Sequence, residues 1–263
     1  MPKTQINGIS LYYENHGKGE PVVLIAGFGA DHTLWNETVE LLKDTHQVIV
    51  LDNRGAGQSD APKEPYSIEQ MAKDTAMLCK SLGIQKTHFV GNSMGGFILQ
   101  TLAYQYPDLV QSAIISNSTD SIQCCFNIYV GAQLELLKAG APLSALIKAS
   151  SSWVFSYHYL SHPGILDALL KIGLENPFPF TITGYEGQCA ALDGFDATPW
   201  AGKIKVPVLV ISGAEDLIFS EISVRRLADK IPGAEYYCFD QCGHLPMLEY
   251  PEKFVSVIRK FLS

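Results

Sequence analysis

The stretch KTHFVGNSMGGFILQTLAYQYP, residues 86–107, contains the pentapeptide GNSMG at positions 91–95. Its first part is typical of a short buried strand, and the apolar part after Ser93 is typical of a helix that Pro107 ends. Glycines stand two positions before and two positions after the serine. Small residues at these places allow a strand and a helix to approach each other across a very tight turn. The stretch therefore predicts a strand–turn–helix unit with Ser93 at its tip.

The remainder of the chain alternates between strand and helix patterns on both sides of this unit. Apolar runs at residues 21–27, 46–52 and 205–213 are typical of strands buried on both faces, and helical patterns separate them. Asn7-Gly8 between two short strand patterns indicates a hairpin. Strands that alternate with helices indicate an α/β fold, in which helices cover both faces of a mainly parallel twisted sheet.

The alternation stops between residues 120 and 200. This segment has a helical pattern that is broken by several prolines, and it is rich in aromatic residues and poor in charge. The sheet pattern continues after it, which indicates an insertion rather than a separate domain. We therefore predict a core domain of residues 1–119 and 201–263 that carries a helical cap, or lid, at residues 120–200.

The composition narrows the classes of partner. The 263 residues carry a net charge of −8, contain four arginines and show no basic run, which argues against nucleic acid and anionic membrane surfaces. No apolar run approaches the roughly 18 residues that a membrane span needs. The N-terminus lacks the apolar region of a signal peptide. Six cysteines without a C-x-x-C pair favour reduced thiols, so we expect a cytoplasmic protein.

The residues that follow the strands are the candidates for chemistry, because parallel α/β sheets bind ligands beyond the carboxyl ends of their strands. Ser93 needs a neighbouring base, since a serine hydroxyl is inert at neutral pH. His244 follows the last predicted strand, and Asp216 follows the strand before it, where a carboxylate could orient the imidazole. We predict Ser93, Asp216 and His244 as the catalytic residues. Glu215 is a solvated neighbour in this interpretation, and Asp120 is the alternative acid.

A fourth strand end supplies candidates for binding a negative charge. Gly27-Phe28-Gly29 follows an apolar strand and forms a turn. We predict an oxyanion hole made by the backbone N–H groups of Phe28 and Met94. The alternative is a simple strand-to-helix turn with no part in binding.

These residues together resemble the α/β-hydrolase fold superfamily. The resemblance includes LDNRGAGQSD at residues 51–60, which is similar to the D-x-R-G-x-G-x-S loop of that family. We interpret Asp52 and Arg54 of this loop as structural. More narrowly, residues 66–96 and ISNST at 115–119 resemble the 3-oxoadipate enol-lactonase-like branch and neighbouring small carboxylesterases.

The resemblance implies a serine hydrolase for small ester or lactone substrates that forms an acyl-enzyme on Ser93 and needs no cofactor and no metal. The same triad could serve thioester hydrolysis, carbon–carbon bond hydrolysis or cofactor-free perhydrolysis, and these alternatives stay open. From a different class, the fold could serve as a small-molecule receptor. A metal hydrolase that uses His158 and His162 lacks a nearby carboxylate or cysteine to complete its ligand set. The oligomeric state is not readable from these patterns.

Two departures from the family pattern concern substrate binding. Many relatives carry a His-Gly pair where this chain has Ala26-Gly27. The backbone donor of the oxyanion turn is kept, but the sequence does not identify a side chain that supports the turn. An enol-lactonase substrate carries a carboxylate that an arginine would suit, yet residues 120–200 contain no arginine. Their many aromatic residues indicate an apolar pocket. We therefore predict a neutral, apolar or aromatic acyl substrate. The residues expected to contact it are Trp153, Tyr157, Phe219 and Leu245.

Overall fold

The computed structural model describes residues 3–263, and in these residues eight strands form one sheet. The strands are β1 (Lys3–Ile6), β2 (Ile9–His16), β3 (Glu20–Ile25), β4 (His46–Leu51), β5 (Thr87–Asn92), β6 (Val110–Ser116), β7 (Val208–Gly213) and β8 (Glu235–Phe239). Their order across the sheet is β1-β2-β4-β3-β5-β6-β7-β8. β2 pairs antiparallel with β1 and β4, whereas all neighbours from β4 to β8 are parallel. This mainly parallel sheet confirms the predicted α/β fold.

Eleven α-helices accompany the sheet within the described residues. They are α1 (Asn36–Leu42), α2 (Ile68–Ser81), α3 (Met94–Gln105), α4 (Cys124–Lys138), α5 (Leu143–Val154), α6 (Tyr157–Leu160), α7 (Ile165–Glu175), α8 (Ile182–Leu192), α9 (Glu221–Lys230), α10 (Pro246–Glu249) and α11 (Pro251–Leu262). Local signals explain several element ends. Ser67 caps α2 by accepting a hydrogen bond from the Gln70 N–H at 3.1 Å. Asn7 and Gly8 both have positive φ, 47° and 81°, as a type I′ hairpin turn requires.

Strands β3 to β7 are mostly buried, and their successive side chains point to opposite sides of the sheet. Ile25 of β3 belongs to one apolar cluster, which includes Phe97 of α3. Its neighbour Leu24 belongs to a second cluster, which includes Trp35 and Phe254 of α11. Helices therefore cover both faces, and the carboxyl ends of the strands are left as the place for a site.

Five helices, α4 to α8, lie between β6 and β7 in the sequence. These two strands are nevertheless paired in parallel, with Ala113 opposite Val208 and Ser116 opposite Ile211. The sheet therefore continues without interruption past the point where the five helices leave it. We call residues 124–192, which contain these helices, the inserted segment.

Two findings bear on the predictions from composition. All six cysteines lie within the described residues, and each is a free thiol. Within residues 3–263, no helix combines the length and the apolar character that crossing a bilayer requires.

Candidate active site

Ser93 occupies the turn between β5 and α3 with φ 56° and ψ −119°. This backbone conformation is uncommon for a residue other than glycine. The turn also requires glycine at positions 91 and 95, because backbone atoms pass so close to both residues that a side chain would clash. A Cβ on Gly91 would lie 2.3 Å from the Gly95 carbonyl oxygen, and a Cβ on Gly95 would lie 2.2 Å from the Ile25 carbonyl oxygen. The spacing of the two glycines thus has a steric cause, and the turn places Ser93 at the wall of a cavity.

Asp216 and His244 are hydrogen-bonded beyond the ends of β7 and β8. The distance from His244 Nδ1 to Asp216 Oδ2 is 2.7 Å, and both side chains are buried. The other carboxylate oxygen, Oδ1, accepts from the N–H groups of Ile218 at 2.8 Å and Phe219 at 3.1 Å. An ionised carboxylate only accepts hydrogen bonds, so an environment made of N–H donors suits the ionised form of Asp216. In the neutral imidazole tautomer that donates Nδ1–H to this carboxylate, Nε2 is the nitrogen with the free lone pair.

Asn117 is a buried residue of this site that the sequence did not single out. It has φ 47° just after β6 and is fully buried. Its Nδ2 donates to Asp216 Oδ2 at 2.9 Å and to the Gly243 carbonyl oxygen at 3.2 Å. Asn117 therefore holds the carboxylate and the loop of His244 together. Its position at the end of a predicted strand, in the ISNST run, was the available signal.

The loop that carries His244 is fixed on two sides. The His244 N–H donates to the Val154 carbonyl oxygen at 2.7 Å, which ties the loop to α5 of the inserted segment. Asn92 Nδ2 donates to the His244 carbonyl oxygen at 3.2 Å, which ties it to the residue before Ser93. The position of the imidazole thus depends on the inserted segment as well as on the sheet.

The half-buried carboxylate of Glu249 adds further hydrogen bonds between the His244 loop and the inserted segment. Glu249 Oε1 accepts from the N–H groups of Gly243 at 3.0 Å and Ser156 at 3.1 Å, and Oε2 accepts from Ser156 Oγ at 2.5 Å. Burial raises the pKa of Glu249, and the nearby charge of Glu215 adds to this, although the three hydrogen bonds act in the opposite direction. Ionisation of Glu249 therefore costs stability in the folded state.

This raised pKa gives a pH-dependent expectation for Glu249→Gln. A carboxyl whose pKa is raised by folding contributes most stability below its unfolded pKa, about 4.3 for glutamate, and loses it as the pH rises through the folded value. Glutamine keeps an acceptor for Gly243 and does not titrate. The Tm of the wild type relative to the variant is therefore expected to fall as the pH is raised from about 4 to 8. Thermal unfolding of both proteins at several pH values measures this, and a constant difference would contradict the assignment.

The turn at Gly27-Phe28-Gly29 lies directly against Ser93. A Cβ on Gly27 would come within 3.0 Å of the Ser93 Cβ, so the turn needs glycine there. Within the described residues, neither the Phe28 N–H nor the Met94 N–H donates to a protein acceptor. Met94 is the first residue of α3, where backbone N–H groups have no partner inside the helix. Both predicted oxyanion donors are therefore available beside Ser93.

A cavity of about 360 Å³ opens at Ser93 and His244. It lies between the strand ends and the inserted segment, and its wall is mostly apolar. The lining residues include Phe28, Leu34, Phe126, Tyr129, Gln133, Leu146, Ile147, Ser150, Ser151, Phe155, Leu169, Ile172, Phe180, Tyr185, Ile218 and Leu245. Among the described residues that line it, none is Lys, Arg, Asp or Glu. The cavity therefore suits an uncharged group.

One of the four predicted substrate-contact residues lies on the cavity wall. Leu245 lines the cavity, but Trp153, Tyr157 and Phe219 are absent from the described residues that do so. Tyr157 is 83% exposed, and Trp153 packs behind Tyr129 at a ring distance of 5.2 Å. Phe219 is fully buried and packs against the His244 ring from the side of the core. An aromatic residue in a cap thus lines the pocket only if its helix turns that face inward.

The inward face of α4 carries the residues that the sequence missed. Its cavity residues Phe126, Tyr129, Gln133 and Leu137 recur at spacings of three and four. This is the period of one helix face, but α4 also carries apolar residues such as Ile128 and Leu136 on its exposed side, so the spacing alone does not identify the inward face.

Other predicted candidates lie elsewhere. Asp120, the alternative acid, forms an ion pair with Lys230. Glu215 accepts a hydrogen bond from the Tyr157 N–H at 2.8 Å. His162 Nδ1 lies 2.9 Å from the carbonyl oxygen of His158, on the exposed side of the inserted segment. Among the described residues, the group of side chains close enough to hold a metal is instead Asp31, His32 and Asp52.

Comparisons with known proteins identify the family of this fold. The model of the alpha/beta hydrolase fold family matches residues 20–251. The crystal structure of an enol-lactonase from Burkholderia xenovorans has a TM-score of 0.89 at 30% identity and covers 99% of both chains. A thermophilic esterase from Thermogutta terrifontis has a TM-score of 0.86 at 28% identity, over 99% of this chain and 96% of that chain. A Mycobacterium tuberculosis protein that bears the name of a non-heme bromoperoxidase is 29% identical over 97% of this chain and 98% of its own. The chain therefore belongs to the alpha/beta hydrolase fold family, as its motifs predict.

Proposed function

We propose that this protein is a serine hydrolase that cleaves carboxylic esters or lactones with neutral, apolar acyl groups. The 2.7 Å hydrogen bond between Asp216 and His244 carries the proposal, because it leaves Nε2 of the imidazole free to act as a base. Ser93 lines the same cavity as His244. Family members with the names esterase and enol-lactonase add support.

In the proposed reaction, His244 Nε2 takes the proton from Ser93 Oγ while Oγ attacks the acyl carbon. The carbonyl oxygen becomes an oxyanion, which the N–H groups of Phe28 and Met94 bind. His244 then gives its proton to the departing alkoxide, and the acyl group stays on Ser93. Water attacks the acyl-enzyme, with His244 again as the base, and releases the acid. In a lactone, the alcohol produced in the first half remains joined to the acid.

Residues 120–200 act in this proposal as a cap on the core of residues 1–119 and 201–263. Two observations support this role. The cavity at Ser93 has strand-end residues on one side and residues of α4, α5, α7 and α8 on the other. The His244 N–H is bonded to the Val154 carbonyl oxygen of α5. The cap thus supplies both the pocket for the acyl group and part of the support for the base.

The proposed substrate class follows from the charge of the cavity wall. Since none of the described lining residues carries a charge, a carboxylate in the acyl chain would lose its hydration without gaining a partner. Such desolvation costs several kcal/mol, so an acyl group with a free carboxylate is disfavoured. Despite the similarity to an enol-lactonase, we therefore propose a neutral acyl group for this protein.

A matched pair of substrates tests this function. p-Nitrophenyl valerate and the p-nitrophenyl monoester of glutaric acid have acyl chains of equal length and differ by a terminal methyl or carboxylate. We expect kcat/KM to be higher for the valerate by about 100-fold or more, because of the desolvation cost. The release of p-nitrophenol measures both rates. Comparable rates would reject the neutral-acyl class, and a lack of turnover of both esters would reject the ester hydrolase itself.

A further inference from the structure

The oxyanion turn is held by a buried amide from the inserted segment. Gln188 of α8 is 1% exposed, and its Oε1 accepts a hydrogen bond from the Gly29 N–H at 2.8 Å. Its Nε2 donates to the Arg54 carbonyl oxygen at 3.1 Å. Both ends of the amide are thus satisfied by backbone groups of two different core loops. The side chain joins the turn at Phe28 to the loop that follows β4.

The oxyanion turn depends on the hydrogen bond from Gln188 because the hydrogen bond within the turn itself is weak. Gly29 has φ 68°, and the hydrogen bond from the Ala30 N–H to the Gly27 carbonyl oxygen is long, at 3.4 Å. The Gly29 N–H belongs to the peptide unit that follows Phe28. Anchoring this unit restricts rotation about the Phe28 backbone and therefore the direction of the Phe28 N–H. Because Gln188 accepts from the Gly29 N–H, that group is not available to an oxyanion, whereas the Phe28 N–H donates to no protein acceptor within the described residues.

A second contact from α8 fixes the Phe28 side chain. Tyr185, one helical turn before Gln188, meets the Phe28 ring edge to face with ring centroids 4.6 Å apart. Phe126 of α4 meets the same ring edge to face at 6.4 Å. The backbone and the side chain of Phe28 are therefore both positioned by the inserted segment.

Nε2 of Gln188 donates to the carbonyl oxygen of Arg54, whose side chain is fixed in the core. Arg54 forms a buried two-point ion pair with Asp74, with distances of 2.6 Å and 2.8 Å. At Gly184 the helix α8 touches this loop directly, since a Cβ there would lie 2.0 Å from the Gly55 carbonyl oxygen. The loop after β4 thus forms the surface on which α8 packs, which supports the structural role predicted for Arg54.

We infer that Gln188 is a positioning residue for the oxyanion hole, and that the hole is complete only when α8 is seated on the core. The inference rests on the proposed function. Ala26, which precedes the turn, offers no polar side chain to support it from the core. Gln188 supplies that support from the cap. The seating of the cap therefore affects the stabilisation of the transition state and not only the shape of the pocket.

The test is Gln188→Met, which keeps the length of the side chain and removes both hydrogen bonds. Ser93 is first counted by labelling with a fluorophosphonate and intact mass measurement, so that rates refer to competent sites. For p-nitrophenyl valerate, we expect kcat per labelled site to fall about 10- to 100-fold with KM changed less than about threefold, because an oxyanion contact acts in the transition state. The inhibition constant of butylboronic acid, a tetrahedral mimic, should rise by the same factor as kcat/KM falls.

Gln100→Met is the matched control. Gln100 is a fully buried glutamine of α3 that also makes two hydrogen bonds to backbone groups. Its Nε2 donates to the carbonyl oxygens of Gly96 at 3.2 Å and Thr119 at 2.9 Å. Gln100→Met should lower the Tm about as much as Gln188→Met does. It should leave kcat per labelled site and the inhibition constant of butylboronic acid within about twofold of the wild type, because Gln100 does not touch the oxyanion turn. Should Gln188→Met not fold, Gln188→Asn keeps the amide, shortens it by one methylene and is expected to shift kcat in the same direction.

Unchanged kcat and boronate affinity in a folded Gln188 variant would overturn the inference, as would an equal loss of kcat in Gln100→Met. Failure of the proposed function would look different. In that case the wild type itself would neither hydrolyse the ester nor take up the fluorophosphonate at Ser93.

Discussion

Replacing Ser93 by alanine is expected to lower kcat for p-nitrophenyl valerate by about 10⁵- to 10⁶-fold, to a rate set by the remaining groups. The physical reason is that Ser93 Oγ forms the covalent bond to the acyl group, and no other side chain can replace it. The fold should persist, because the strained φ of 56° is tolerated by alanine no worse than by serine. Release of p-nitrophenol by the two purified proteins, with their Tm values as a check on folding, measures the loss.

This variant also separates an enzyme from a receptor built on the same fold. In the wild type, a fluorophosphonate should add a single mass increment that maps to Ser93, and Ser93→Ala should show none. Equal hydrolysis by both proteins would remove Ser93 as the nucleophile. Binding of neutral esters without turnover in the wild type would instead support the receptor.

Asp216→Asn is expected to lower kcat by about 10⁴-fold while the protein stays folded. The carboxylate accepts the Nδ1–H of His244 at 2.7 Å, and it also accepts from Asn117 Nδ2 at 2.9 Å. An asparagine presenting its NH₂ group to Nδ1 would stabilise the tautomer whose proton is on Nε2. His244 could then no longer accept the proton of Ser93 Oγ. KM should change little, because Asp216 does not touch the acyl group.

Asp120→Asn is the matched control for this prediction. Asp120 is also buried and follows the neighbouring strand β6, but its carboxylate is paired with Lys230. Its amide variant should lose some stability and keep kcat within a few-fold. If Asp120→Asn lost activity and Asp216→Asn did not, the acid of the triad would have been assigned to the wrong strand end.

The residues at the strand ends can be located from local sequence patterns. Apolar runs with the period of buried strands mark where β5, β7 and β8 lie, and the residue after each strand follows from counting. Local patterns are therefore enough to place Ser93, Asp216 and His244 at one edge of the sheet. Their predicted roles rest on chemistry that depends on residue type, namely a hydroxyl, an imidazole and a carboxylate.

The residues that line the cavity cannot be identified from local sequence patterns. The inserted segment is apolar on several helix faces at once, so no periodicity says which face of each helix meets the core. Its aromatic content predicts Trp153 and Tyr157 as substrate contacts, yet Tyr129 and Tyr185 line the cavity. Whether a side chain points inward depends on how α4, α5, α7 and α8 pack on one another and on the core. That packing is decided by contacts between residues far apart in the sequence.

The sequence by itself determined the α/β fold, the elbow at Ser93 and the order of the three candidate catalytic residues, because these depend on short-range periodicity, on glycine sterics and on residue type. Only the tertiary structure decided which residues support them. Asn117 at Asp216, Val154 at His244 and Gln188 at the oxyanion turn each act from another part of the chain. A hydrogen bond between residues 159 positions apart, as between Gly29 and Gln188, leaves no local signal, since it forms only once the inserted segment has packed on the sheet.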